Sequence, residues 1–389
     1  MKFNTLKDVD VENKRVLVRV DFNVPIDKKG KILDDRRIKA VLPTINYLIK
    51  KKSIVILMSH LGRPKKINDN LRMDKIAKRL SKLLKQNVIY IDDCLGASVE
   101  DQINEMQSGE VCLLENLRFY PEETKNSKSF AQGIAELGNV YVNDAFATLH
   151  RAHASVTGVP HFLPSCVGLL VMKELKQLEK ARKPKKPFFA IICGAKEDKL
   201  KIAEKMFTKA SNLFIGGVLG NILLKARGYK IGKSKLEKIK LQKKFVDSTK
   251  VIAPEDVVVA NKIAKGAKTK TISVKDIPSG WTVVDIGPKT IKRLKEIIKN
   301  SKTVFWSGPP GLFEITKFSK GTKALAKMMS QANKVTIAGG GDTAEAIDKF
   351  KLAKGFTHVS TGGGAAVAYV EGAELPGLKA MSDSKKRFG

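Results

Sequence analysis

The chain has 389 residues, 43% of them hydrophobic, and a formal net charge of +33, which predicts about two domains with sizeable cores and raises the question of a nucleic-acid or membrane partner. The lysines are spread along nearly every expected helix, clustering briefly at Lys50–Lys52 and in KPKKP (183–187) with few aromatics between them, so a solvated basic surface is expected rather than a specific nucleic-acid site. Four scattered cysteines, Cys94, Cys112, Cys166 and Cys193, form no C-x-x-C pair, and neither a signal-peptide core nor a bilayer-length apolar run occurs, which argues against zinc, a disulfide framework and a membrane, and for a cytoplasmic protein.

In chain order, RVLVRVDFNVP (15–25), SIVILMSHLGRP (53–64), VCLLENLRFYP (111–121) and NVYVNDAFATLHRAHAS (139–155) open as strands, with helical stretches such as RIKAVLPTINYLIKK and MDKIAKRLSKLL between them. That alternation implies a parallel sheet with helices on both faces. CVGLLVMKELKQLEKARK (166–183) has helical spacing with no breaker after Gly168 and is expected to be a connecting helix. A second series follows: PFFAIICGAK, NLFIGGVLGN, KVIAPEDVVVA, WTVVDIGP, KTVFWSGPPGLFE, VTIAGGGDT and HVSTGGGAA. The expected fold class is therefore α/β, with two parallel-sheet domains.

Each strand of the first series ends in polar residues: Asp21 and Asn23; His60 and Arg63; Glu115, Asn116 and Arg118; Asn143, Asp144, His150, Arg151 and His153. Ligands of open parallel sheets bind beyond those ends, and arginine forks grip carboxylate and phosphate oxygens, so a small, multiply anionic ligand is expected there. His150 and His153 have no third ligand at metal spacing, which favours a hydrogen-bonded loop. The second series ends instead in glycines, Gly216 and Gly217, Gly308 and Gly311, Gly339–Gly341 and Gly362–Gly364. Bare backbone at strand ends and helix starts suits the phosphates and flat base of a nucleotide. Lys196 and Lys199 of CGAKEDK would add mobile charge to the phosphates.

Two look-alike motifs fail. GYKIGKS (228–234) has three residues between its glycines where a P-loop has four, and no apolar strand leads into it, so it reads as a surface turn. Gly339, Gly341 and Ala344 match the dinucleotide fingerprint, but the next strand ends THVSTGGG with no carboxylate for a ribose.

With RVDFNVP, RRIKAVLPTI, SHLGRP, ENLRFYPEE, NDAFATLHRAHAS, GAK, GPPGLFE, GGGDT and STGGGAA in this order, the chain resembles the phosphoglycerate kinase family along essentially its whole length. The resemblance implies two Rossmann-like domains separated by a cleft and joined by a long helix: 1–165 for the triose, 166–183 connecting, 184–376 for the nucleotide, with the tail 377–389 returning to the first. It implies reversible phosphoryl transfer from 1,3-bisphosphoglycerate to Mg-ADP, giving 3-phosphoglycerate and ATP, by a monomer that takes Mg2+ with its nucleotide. Asp21, Asn23, Arg37, His60, Leu61, Gly62, Arg63, Arg118 and Arg151 would bind the triose, with Arg37 and Lys199 catalytic. Gly216, Gly217, Lys196, Lys199, Glu314, Gly340, Gly341, Asp342 and Thr343 would bind the nucleotide, with Asp342 the magnesium ligand. The sequence departs from the family's pattern at Cys193 for a glycine, at Leu149 for an alanine, at Ser307 for an asparagine, and in a lysine loop one residue short. The short loop leaves Lys199 and Lys201 as alternatives for the lysine that meets the transferring phosphate. A second reading, a basic scaffold that kept the fold, follows from the charge and the altered loop.

Overall fold

The computed structural model describes residues 2–27, 30–194 and 197–389. Lys196 of the expected nucleotide set lies outside the described residues. The chain divides into two compact units, residues 1–175 with 374–389, and residues 176–373.

The first unit is built on β1 (Asn4–Thr5), β2 (Arg15–Arg19), β3 (Ile54–Met58), β4 (Val88–Tyr90), β5 (Val111–Leu113), β6 (Val140–Asn143) and β7 (Ser165–Val167), in the order β1-β7-β6-β2-β3-β5-β4. Every pairing in this sheet is parallel. Runs such as VLV and VILM are buried on both faces, as parallel strands under helices require. Its helices are α1 (Arg36–Lys50), α2 (Asp74–Leu84), α3 (Ala97–Asn104), α4 (Pro121–Lys125), α5 (Lys128–Glu136) and the start of α6 (Leu169–Arg182). On α1 the apolar positions Ile38, Val41, Ile45 and Leu48 recur at helical spacing and join the core.

The second unit has α7 (Glu197–Lys209), α8 (Gly217–Ala226), α9 (Lys243–Val246), α10 (Pro288–Asn300), α11 (Lys320–Ser330), α12 (Gly341–Lys349) and α13 (Gly363–Glu371). Its parallel sheet joins β8 (Phe188–Cys193), β9 (Asn212–Gly216), β10 (Val251–Ile252), β14 (Thr303–Ser307), β15 (Val335–Ala338) and β16 (His358–Val359), in the order β10-β9-β8-β14-β15-β16. A separate antiparallel sheet, β12-β11-β13, is made by β11 (Asp256–Ala260), β12 (Thr269–Ser273) and β13 (Thr282–Ile286). The last helix, α14 (Pro376–Phe388), belongs to the first unit, where the Gly377 N–H donates to Leu149 O at 2.9 Å and the Ser384 hydroxyl to Leu163 O at 3.0 Å.

Three elements differ from the sequence reading. The helix expected over 166–183 begins at Leu169, because Cys166 and Val167 pair with β6 and β1 as strand. KVIAPEDVVVA is two strands, since Pro254 has no N–H for a ladder and the chain leaves the parallel sheet there. TKTIS is a strand although it is largely polar, because it pairs with one neighbour only and is not fully buried.

Candidate active site

In the first unit the carboxyl ends of the strands converge as expected. Asp21, just past β2, accepts a hydrogen bond at 2.7 Å from Arg37 Nη1 at the start of α1. Asn23 Oδ1 accepts from the Gly62 N–H at 2.9 Å, and Arg118 Nη1 donates to Gly62 O at 2.7 Å. Leu61 is tied down in turn, its N–H donating to Asn116 Oδ1 at 3.1 Å and its carbonyl accepting from Asn116 Nδ2 at 2.8 Å. Side chains that follow β2 (Asn23, accepting) and β5 (Asn116, accepting and donating, and Arg118, donating) therefore fix the turn after β3, 60–63. Arg63, Arg118, Arg151, Lys65 and His153 line an open cavity of about 600 Å³. The buried Arg118 Nε has no hydrogen-bond partner among the described residues, which leaves a donor for an incoming oxygen.

Positive charge is concentrated enough to perturb its members. Burial, then the field of Arg19, Arg118, Arg151 and Arg37, holds the His60 imidazole well below its ordinary value. Burial and the neighbouring Arg151, Arg19 and Arg63 bring Arg118 down to about 10. Burial and Arg63 lower Arg151. An anion of several charges is the ligand that relieves this mutual repulsion.

Beneath these groups lies a buried network that the sequence reading missed. Arg19, on β2, is fully buried. Its Nε donates to Ser155 Oγ at 2.8 Å, and its Nη2 lies 3.2 Å from His60 Nδ1. Ser155 Oγ donates to buried Glu123 Oε1 at 2.7 Å, and the Ser155 N–H donates to Oε2 at 2.8 Å. Burial opposes the charge on Glu123, but His153, Arg19 and Ser155 outweigh it and lower its pKa. The signal was an ionisable residue inside an otherwise apolar strand. His150 and His153 take separate partners, Arg151 Nε at 3.4 Å and Glu123 Oε1 at 3.6 Å.

In the second unit the glycine-rich strand ends also meet. Gly216 and Gly217 join β9 to α8, and the Leu219 N–H donates to Gly194 O at 2.9 Å. The Thr343 hydroxyl, buried in α12, donates to Gly339 O at 3.1 Å and accepts from the Gly308 N–H at 2.7 Å. Gly340 has φ +105°, and a Cβ there would point into the space shared by Ser307 Oγ, Thr343 Oγ1 and Lys199 Nζ, at 3.5, 3.5 and 3.6 Å. Bare backbone keeps that cradle open at the positive end of α12. Exposed Asp342 follows in the first turn of α12. Glu314 is exposed, its carbonyl accepting from Lys349 Nζ at 3.0 Å.

Of the two candidate lysines, Lys199 lies beside this cradle, its Nζ 2.7 Å from Ser307 Oγ. Lys201 instead lines a surface hollow with Glu204, Lys205, Thr208, Lys209 and Glu371. Cys193 is buried with Sγ 2.8 Å from where a Cβ on Gly216 would lie, and burial pushes its thiol up to about 12. It fills space there and is no nucleophile at neutral pH. GYKIGKS contains turns and irregular backbone and leads into no helix.

Residues 6–373 match the family model described as phosphoglycerate kinase. The chain belongs to the phosphoglycerate kinase family. A curated phosphoglycerate kinase from Pelotomaculum thermopropionicum is 47% identical over 393 residues, covering 98% of this chain and 100% of the relative. One from Nostoc punctiforme is also 47% identical, with 98% of each chain covered. Among solved structures, a phosphoglycerate kinase from Pyrococcus horikoshii superposes with a TM-score of 0.87 at 33% identity, covering 99% of this chain and 100% of that one. One from Coxiella burnetii gives 0.85 at 35%, covering 98% and 99%. The phosphoglycerate kinase reaction, reversible phosphoryl transfer from 1,3-bisphosphoglycerate to ADP giving 3-phosphoglycerate and ATP, makes this chain a phosphotransferase with a carboxyl acceptor.

Proposed function

We propose that the chain performs this reaction with its triose on the first unit and its nucleotide on the second. The observation that carries the assignment is the contrast between the two sets of strand ends: arginines and one neutral histidine on the first, open glycine backbone at a helix N-terminus on the second. Asp21 and Asn23 receive the hydroxyacid, with His60, Leu61, Gly62, Arg63, Arg118 and Arg151 around its phosphate and carboxyl oxygens. Gly216 and Gly217 line the base, Glu314 meets the ribose, and Gly340, Gly341 and Thr343 hold the phosphates.

An acyl phosphate is already activated, so no covalent intermediate is needed. The protein aligns donor and acceptor, excludes water and stabilises charge on the moving group. Arg37 and Lys199 approach that group from the two units, and closure brings the reacting atoms within about 3–3.5 Å. Helix α6 and the segment leading into α14 are the hinge elements, and the enzyme works as a cytoplasmic monomer.

Magnesium fits the nucleotide side. Asp342 stands two residues after Gly340, whose Cβ would fill the cradle, and a single carboxylate is the donor set expected where phosphates and water supply the remaining ligands. Bound there, the ion neutralises phosphate charge.

Calorimetric titration tests the partition of the substrates. Arg63→Ala should weaken 3-phosphoglycerate binding more than tenfold and leave Mg-ADP binding within twofold, and Asp342→Ala should do the reverse. Loss of both ligands in either variant would contradict the assignment.

A further inference from the structure

Ser307 is a departure from the family pattern that the functional reading leaves unexplained, and it meets Lys199 at one atom pair. Ser307 ends β14 with its side chain fully buried, and its Oγ accepts a hydrogen bond at 2.7 Å from Lys199 Nζ. The stem of Lys199 crosses the end of β8, so that a Cβ on Gly194 would lie 3.2 Å from its Cγ. The ammonium thus stands over the ends of two adjacent strands, β8 and β14, in front of the glycine turn that follows β15.

That position is electrostatically awkward. A helix N-terminus repels a cation, and the ammonium lies 3.6 Å from the point where a Gly340 Cβ would project, at the cap of α12. Two positive groups aimed at one point mark where an anion will lie, but before the anion arrives an acceptor must hold the lysine there. The Ser307 hydroxyl supplies that acceptor.

We propose that Ser307 is the positioning residue that docks the Lys199 ammonium at the phosphate cradle. The proposal rests on the reading that Lys199 serves the transferring phosphoryl group. Ser307 acts through the lysine and need not touch substrate, so its removal should slow transfer without loosening either substrate.

A double-mutant cycle in the coupled assay, with Mg-ATP and 3-phosphoglycerate, tests it. Ser307→Ala should lower kcat about tenfold with both KM values within twofold of wild type, and Ser307→Thr, which keeps the hydroxyl, should restore at least half of kcat. Lys199→Ala should cost more than a hundredfold, and adding Ser307→Ala to it should cost less than a further twofold. A matching thermal unfolding midpoint for Ser307→Ala separates docking from damage to the fold; a fall in kcat explained by lost folded protein would overturn the proposal. An inactive Lys199→Ala beside a fully active Ser307→Ala would overturn the docking role alone. Lys199→Ala at wild-type kcat would overturn the lysine's role and the docking with it.

Discussion

At Arg19 and His60 the first unit relies on charged and titratable side chains that are almost wholly buried. Arg19 holds the His60 ring through Nδ1 and reaches Glu123 by way of Ser155. With burial and four arginines acting against its protonation, His60 is neutral in the folded protein, whereas the unfolded chain returns it to the ordinary value of 6.5. Below that value the unfolded state binds the extra proton, so stability falls as the pH drops, by up to about 1.4 kcal/mol per pH unit for this one group. Urea unfolding at pH 7.5, 6.5 and 5.5 should show a shallower loss for His60→Gln than for wild type; equal slopes would show that the ring is protonated in the fold. At this scale the gathering of Asp21, Asn23, Arg63 and Arg118 was legible, because polar side chains just after apolar strands have few other reasons to cluster. Arg19 and Glu123 were not, since burying a charge is favourable only through partners far away in sequence, such as Ser155, 136 residues from Arg19.

Elements place these residues, and α14 shows how a departure in one is absorbed by another. Leu149, where the family usually has alanine, is fully buried, and its Cδ2 would lie 2.5 Å from a Cβ on Gly377. The larger side chain fits because the first turn of α14 is bare at that point, and the Gly377 N–H bonds to the Leu149 carbonyl. Leu149→Ala should open a cavity costing about 2–5 kcal/mol, read as a lower urea midpoint for the first unit by tryptophan-independent far-UV circular dichroism. No change would mean that α14 is not held through this contact. The parallel strands were legible as apolar runs ending in polar or glycine-rich turns. The antiparallel sheet β12-β11-β13 was not: β12 is polar and only partly buried, and β10 and β11 read as one run until Pro254 is given its geometric weight.

For the whole molecule, the net charge of +33 and the arginines gathered at the strand ends of the first unit are different matters. Lys50, Lys51 and Lys52 are exposed, whereas Arg118 and Arg151 are half-buried and perturb one another. No helix among the described residues is long and apolar enough to cross a membrane. The proposed transfer draws Arg37 from one unit and Lys199 from the other. The direct test is coupled turnover of purified wild-type protein and Arg37→Ala with Mg-ATP and 3-phosphoglycerate. Wild type should turn over and Arg37→Ala should fall by more than a hundredfold with its fold intact; no turnover in the wild type, or equal rates in both proteins, would contradict the account.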